Sequence, residues 1–356
     1  MDLDATAFWI ARSGLRPLSI GINLSRYRAY GPFLPQILGS IVSQSFRWKD
    51  IEMTIPVELE SILLAPFAAG SLPHLANFTS TIPNPSSTTI HFLALHSAPR
   101  LQLLQSCAYH VHIDFRGRPH DIKSLRITDG GISLDDLVFC FTHCPLLSDL
   151  VVSVRSGPTT ILPCEPSTTI ELAYLRHVTL SLSTGADPGL LFDRLLLRAL
   201  ISLDLRMDVE GTADWPSLKS MLARSRPTLE VLMLDGVPIF ETTLTECISY
   251  TPALTNLATT GVECTDTTLH ALTLDESGTR GLCPLLERID LENAEDCSPN
   301  VMIEMILSRR TRPESANITT RQRLKHLNFG LFELDNIRSN PHIAECEKDG
   351  MRLSNY

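Results

Sequence analysis

Apolar side chains recur along this chain at a spacing that neither a lone helix nor a lone strand explains. Four segments open on proline and place apolar residues two, five and usually seven positions later: Pro145 with Leu147, Leu150 and Val152; Pro227 with Leu229, Leu232 and Leu234; Pro284 with Leu286, Ile289 and Leu291; and Pro252 with Leu254, Leu257 and then Thr259. The same L-x-x-L-x-L core stands without proline at Ile122/Leu125/Ile127, Leu175/Val178/Leu180, Leu200/Leu203/Leu205 and Leu324/Leu327/Phe329. Weaker copies begin at Trp48 (Ile51, Met53), Leu75 (Phe78) and Leu101 (Leu104). From Leu75 the starts fall at positions 75, 101, 122, 147, 175, 200, 229, 254, 286 and 324, and seven of the nine steps lie within the 20–29 residues of a leucine-rich repeat. In each core the last two apolar positions alternate as on a strand and face one side, while the first sits in the turn that leads in. One unit leaves that face bare, but units stacked in parallel share a continuous core. An ordinary Leu-rich α/β domain would match the motif by chance without keeping the copies in near-constant order.

The stretches between cores read as helices. Ser133-Leu134-Asp135-Asp136 has the form of a capping box ahead of Leu137, Val138 and Phe141, and Thr243-Leu244-Thr245-Glu246 repeats that form ahead of Ile248. Asp187-Pro188, Trp215-Pro216 and Ser298-Pro299 place proline where a first helical turn tolerates it. The prediction is an α/β fold, a leucine-rich-repeat solenoid over residues 46–334, curved like a horseshoe with parallel strands on the concave side and helices on the convex side. Residues 1–45, with apolar stretches Leu18–Ile22 and Phe33–Ile41, predict a strand and a helix that cap the stack, and residues 335–356 read as a polar tail with frayed backbone. Pro83–Thr89 and Gly157–Thr160 are turn-rich insertions, and residues 309–322 lack an apolar period.

Composition narrows the function classes. With 44% hydrophobic and 20% charged residues, the 356-residue chain has ample apolar material to offset ordering entropy, which excludes wholesale disorder. A net charge of −10, with Arg309-Arg310-Thr311-Arg312 as the one short basic run, argues against nucleic acid as a partner. Every apolar run is broken well short of ~18 residues, so no membrane span is expected. The acidic start Met1-Asp2-Leu3-Asp4 and nine cysteines without framework spacing suit a cytoplasmic or nuclear protein with reduced thiols.

Trp9-Ile10-Ala11-Arg12-Ser13-Gly14-Leu15-Arg16-Pro17-Leu18-Ser19-Ile20, then Arg47-Trp48 and repeats of the Cys144-Pro145-Leu146-Leu147-Ser148-Asp149-Leu150 type, resemble the F-box/leucine-rich-repeat proteins of mushroom-forming fungi over most of the chain. The resemblance implies that an N-terminal F-box docks on the Skp adaptor of a cullin-RING ubiquitin ligase while the repeats select the substrate. An F-box takes roughly 40–50 residues, and eight precede Trp9, so it is expected to be missing. The sequence is then either a fragment or a repeat protein that has lost its ligase dock, and the Skp adaptor is a partner only if an F-box lies upstream. Ile55-Pro56-Val57-Glu58-Leu59 imitates an F-box opening but sits inside the repeat register.

Catalytic chemistry finds little foothold. His110-Val111-His112-Ile113-Asp114 would present two imidazoles and a carboxylate on one strand face, as a metal-dependent hydrolase requires, but Phe115 stands where a further ligand is needed. Cys140-Phe141-Thr142-His143-Cys144 offers soft ligands without a second pair to complete a tetrahedral site. No enzyme, cofactor or metal is therefore predicted. Binding is expected on the residues between and beside the last two apolar positions of each core: Arg126, Thr179, Asp204, Met233, Asp290 and Asn328 in the middle, with Val151 and Ala258, and Arg206, Asp235, Arg288 and Glu292 alongside. This wall is polar to acidic toward the C-terminus, with Met233 as an apolar anchor, and its expected partner is a protein substrate. The two functional readings are a substrate-recognition module of a ubiquitin ligase and a scaffold without ligase function.

Overall fold

The structure is a computed structural model that describes residues 3–24, 33–70, 72–81, 91–107, 111–155, 169–208, 214–275, 281–310, 323–330 and 334–355. The chain divides into two compact units, Met1–Cys164 and Glu165–Tyr356. The insertions expected at Pro83–Thr89 and Gly157–Thr160, and residues 311–322, lie outside the described residues.

The first unit contains helices α1 (Leu3–Ser13), α2 (Leu34–Val42), α3 (Glu60–Ala69) and α4 (Leu134–His143). Its strands are β1 (Leu18–Asn23), β2 (Trp48–Thr54), β3 (Asn77–Thr81), β4 (His91–Ala94), β5 (Leu103–Ser106), β6 (Val111–Asp114), β7 (Ser124–Ile132) and β8 (Asp149–Val154). Strands β1, β2, β3, β5, β7 and β8 pair in that order, all parallel, and β4 and β6 form a separate parallel pair. The register places Ile51, Phe78, Leu104, Leu125 and Leu150 opposite one another on successive strands, each buried to within 2%.

The second unit repeats the plan with β9 (Ile170–Glu171), β10 (His177–Leu182), β11 (Leu195–Leu196), β12 (Ser202–Met207), β13 (Val231–Asp235), β14 (Asn256–Thr260), β15 (Arg288–Leu291), β16 (His326–Phe329) and β17 (Arg352–Asn355). Its helices are α5 (Gly189–Phe192), α6 (Ser217–Ser225), α7 (Glu241–Ser249), α8 (Asp266–Leu272), α9 (Pro299–Arg310), α10 (Leu334–Arg338) and α11 (Pro341–Lys348). Strands β10 and β12 to β17 form one parallel ladder in which Val178, Leu203, Leu232, Leu257, Ile289, Leu327 and Leu353 are register partners in turn. In several cores the first leucine closes the turn before the strand: the N–H groups of Leu147, Leu175, Leu200, Leu254 and Leu286 each donate to the carbonyl three residues back. The fold is thus an α/β solenoid of the leucine-rich-repeat kind, in which each ladder strand pairs with the next ladder strand along the chain.

The ladders reach past both predicted limits. Strand β1 pairs with β2 residue by residue, so the first rung begins at Leu18, ahead of residue 46. At the other end, residues 335–356, expected as a polar tail, form α10, α11 and β17, which completes the last rung against β16. The average polarity of that stretch conceals four widely spaced buried residues, Ile337, Ile343, Met351 and Leu353. Buried Arg310 ties it down by donating to the Leu324 carbonyl and to the Asp349 carboxylate at 2.8 Å.

Helix ends are fastened sideways. The capping box at Ser133 is present: its hydroxyl accepts from Asp136 N–H at 3.1 Å and the Asp136 carboxylate accepts from Ser133 N–H. The box expected at Thr243 is absent, because α7 starts at Glu241 with Phe240 as its cap residue, three residues ahead of Thr243, which lies inside the first turn. The donors there are satisfied by Asp214, which accepts from Phe240 N–H at 2.9 Å and from the Thr243 hydroxyl at 2.7 Å. Glu241 at the start of α7 does the same for α8, accepting from the N–H and hydroxyl groups of both Thr265 and Thr268. Asp266 at the start of α8 then accepts from Ser298 N–H and hydroxyl, both at 2.6 Å, just ahead of α9. Each carboxylate fills the orphan donors of the next helix and meets the positive end of its dipole.

Candidate protein-binding face

Alternation along each strand sends one set of side chains into the core and the other outward. In the second unit the outward middle row reads Thr179, Asp204, Met233, Ala258, Asp290, Asn328 and Ser354, seven register partners on seven consecutive strands. Arg206 and Asp235 are register partners in the row beyond it, and Arg288 lies in the row before it. Glu292 directly follows β15 and is half-buried. In the first unit Arg126 is exposed at the matching place, opposite Gln105 and Val151. The structure therefore gathers the second-unit candidates on one surface, and Arg126 belongs to the first unit's own ladder.

Much of the charge on this surface is already engaged. Arg206 grips Asp204 with both Nε, at 3.3 Å, and a terminal nitrogen, at 3.0 Å, and this pairing holds the guanidinium above its ordinary pKa. Asp290 is 8% exposed, buried where an outward-facing residue was expected; it accepts from Asn328 Nδ2 at 3.1 Å and lies 3.8 Å from Arg288. The Ser354 hydroxyl donates in turn to Asn328 Oδ1 at 3.0 Å, so the row ends in a hydrogen-bonded chain. A carboxylate can be buried on an outward face when neighbours supply its donors. Ser354 was missed because its strand sits in the stretch read as a tail.

Met233 stands apart from these charged neighbours. It is 40% exposed at the third position of the row, between Asp204 and Ala258. Gly236, at φ +63°, lets the chain turn away directly after β13: a Cβ there would lie 2.3 Å from the Met207 carbonyl oxygen. No L side chain fits that approach.

The chemistry-bearing motifs resolve into structural roles. His112 Nδ1 lies 2.8 Å from the buried Asp136 carboxylate of the α4 cap, and Asp114 accepts from Arg116 N–H at 2.8 Å. His110 lies outside the described residues. Cys140 and Cys144 are fully buried, and desolvation pushes the Cys144 thiol up to about 12. Among the described residues no group of three His, Cys, Asp or Glu is placed to hold a metal ion. No helix among them is long and apolar enough to cross a membrane. A hollow of about 350 Å³ in the first unit, between Lys49, His74, Arg100 and Asp121, is open to solvent and lined by both signs of charge.

The first two residues of the short basic run, Arg309 and Arg310, are buried. The Arg309 guanidinium donates to the carbonyls of Leu272, Cys283 and Leu282 at 2.8, 2.9 and 2.7 Å, closing the C-terminal turn of α8 and the loop behind it. Arg47 works in the same way near the N-terminus. It donates to the Ser13 hydroxyl at 2.6 Å and twice to the Arg16 carbonyl, fastening the turn between α1 and β1, while Trp48 beside it is wholly buried. No family model matches this chain, and no curated protein does either.

Proposed function

We propose that this chain is a protein-binding leucine-rich-repeat module that takes a partner protein on the outward strand face of the second unit, as the substrate-recognition part of an F-box-type (SCF) ubiquitin ligase adaptor. The observation that carries the binding reading is Met233, a flexible apolar side chain left open within a face whose polar side chains are largely held by one another. Interface hot spots have this form, an apolar or aromatic anchor inside a ring of polar groups that excludes water. Because the row is carried on paired strands, little backbone freedom is lost on binding.

The ligase half of the proposal is supported by the resemblance of the Trp9–Ile20 segment and Arg47-Trp48. A second reading, a scaffold without ligase function, is favoured by the bonds from Arg47 to Ser13 and Arg16, which give part of that motif a purely local purpose. Titration of purified Skp adaptor against the chain extended upstream of Met1 in its gene separates the two: binding supports the ligase role, and its absence leaves the scaffold. The face itself is tested by a photo-crosslinking residue at position 233 or, as control, at position 300 on α9. A partner captured from position 233, and lost with Ala258→Arg, is expected; equal capture from position 300 would refute the assignment.

A further inference from the structure

We infer that this chain pairs with a second copy of itself through the outer side of its first rung, formed by α1 and the free edge of β1. Helix α1 packs on α2, and α2 on α3. The half-buried residues of α1, Leu3, Thr6, Ile10 and Ser13, recur at helical spacing and mark the side turned to α2. Phe8 stands two residues from both Thr6 and Ile10, about 200° around the helix, and so projects from the opposite side. It is 67% exposed; Trp9 is 45% exposed, and Leu15, in the turn into β1, is 87% exposed.

A solenoid rung whose outer face stays in water needs that face to be polar, and a bare strand edge invites pairing. Here the face is apolar at its centre. Among the described residues β1 pairs with β2 alone, and no strand lies on its other edge. The exposed parts of Phe8, Trp9 and Leu15 amount to about two whole side chains, roughly 400 Å² at ~200 Å² each. Two copies meeting here remove roughly 800 Å² from these three side chains alone, against ~1,200 Å² at the small end of stable interfaces. The six-residue edge of β1 and exposed Ala5, Ala11 and Arg12 supply the remainder.

The layout of α1 suits an identical partner. In a two-fold contact, a residue a given number of places after the axis meets the residue the same number of places before it. Phe8 is the midpoint of Leu3–Ser13. Ala5 and Ala11 lie three residues either side of it, and Asp4 and Arg12 four residues either side. Antiparallel α1 helices that cross at Phe8 therefore set alanine against alanine and bring the acidic first turn of each copy to the basic last turn of the other, with opposed helix dipoles. The two Phe8 rings meet at the axis, and the same rotation sets the two free β1 edges antiparallel to each other.

The test is sedimentation equilibrium of the intact chain over a concentration series up to about 100 μM. A dimer that dissociates on dilution is expected. Phe8→Asp and, separately, Leu15→Asp replace exposed side chains and should each weaken association at least ~10-fold; retention of the native thermal transition checks their folds. Arg12→Glu should weaken it about two- to fivefold, by setting like charges against each other, and less so in added salt. Met233→Arg, on the strand face of the second unit, should leave association unchanged, so this inference and the partner-binding reading stand or fall separately. A chain that stays monomeric throughout the series would overturn the inference. So would a dimer undiminished in both Phe8→Asp and Leu15→Asp, a dimer lost with Met233→Arg instead, or oligomers that keep growing with concentration, which a closed two-fold contact forbids.

Discussion

Glu241 is the residue whose loss should disturb the second unit most specifically. It extends from α7 to the start of α8, where its carboxylate accepts Thr265 N–H at 2.7 Å, Thr268 N–H at 3.0 Å and the hydroxyls of Thr265 and Thr268 at 2.9 and 2.6 Å. Thr268 is fully buried, so Glu241→Ala strands a hydroxyl and an amide where water does not reach them. Loss of a helix cap costs about 0.5–2 kcal/mol, and an unsatisfied buried polar group about 1–3 kcal/mol, which together place the loss at about 2–4 kcal/mol. Thr268→Val removes one donor without changing shape, and the double variant should cost less than the two single losses added together. Urea unfolding reads the total, and hydrogen exchange of the α8 amides locates it. The pH dependence has a defined sign. Burial raises the carboxyl's pKa, but the Thr268 and Thr265 bonds outweigh it and leave it below the ordinary 4.5. The contribution is therefore complete above the unfolded value and is lost as pH falls through the lower folded value, and Glu241→Gln should flatten that loss. A cost below ~0.5 kcal/mol for Glu241→Ala, or strict additivity with Thr268→Val, would refute the lateral-cap argument.

Arg309→Met should destabilise by about 3 kcal/mol or more in urea, because three carbonyls lose their donor at once. Gly236→Ala should cost at least ~2 kcal/mol through its left-handed backbone and the Met207 clash, against ~1 kcal/mol for Gly117→Ala at φ +67°, where nothing lies within 4 Å. His120 is buried with both ring nitrogens unpartnered, and desolvation, then the neighbouring His143, lower its pKa below 6.5. As pH falls below about 6.5 the unfolded chain binds the proton first, so stability should drop, and His120→Leu should remove that drop in thermal melts between pH 7.5 and 5.

The rungs were legible because strand burial depends on a short local pattern. Ile51, Phe78, Leu104 and Leu125 in one ladder, and Leu203, Leu232, Leu257 and Ile289 in the other, align as their spacing implied. The fastenings between rungs escaped notice because each joins residues about one repeat apart, and local reading assigned Thr243-Leu244-Thr245-Glu246 a cap of its own. A signal was present: Asp214, Glu241 and Asp266 recur at the repeat period, and each precedes the next helix by one turn of the solenoid. The burial of Arg309 and Arg310 was not legible for a related reason, since charge in a sequence does not reveal whether a guanidinium faces water or a ring of backbone carbonyls. On the outward face the rows were legible, but the burial of Asp290 was not, because it depends on Asn328, thirty-eight residues on.

These fastenings bear on function through where they are spent. Asp214, Glu241, Asp266 and Arg309 hold helix ends and turns, and none lies in the outward middle row. The stiffness of that row comes from strand pairing beneath it and from the caps behind it, so Met233 and Ala258 can change with little effect on the core. Substitutions on the two sides should accordingly separate: Glu241→Ala lowers stability before it alters binding, whereas Met233→Asp alters binding with a cost to stability within about 0.5 kcal/mol, the range of an ordinary surface change. A Met233→Asp protein that melts several degrees earlier would mean that this methionine packs as core, and the row would lose its one open apolar anchor.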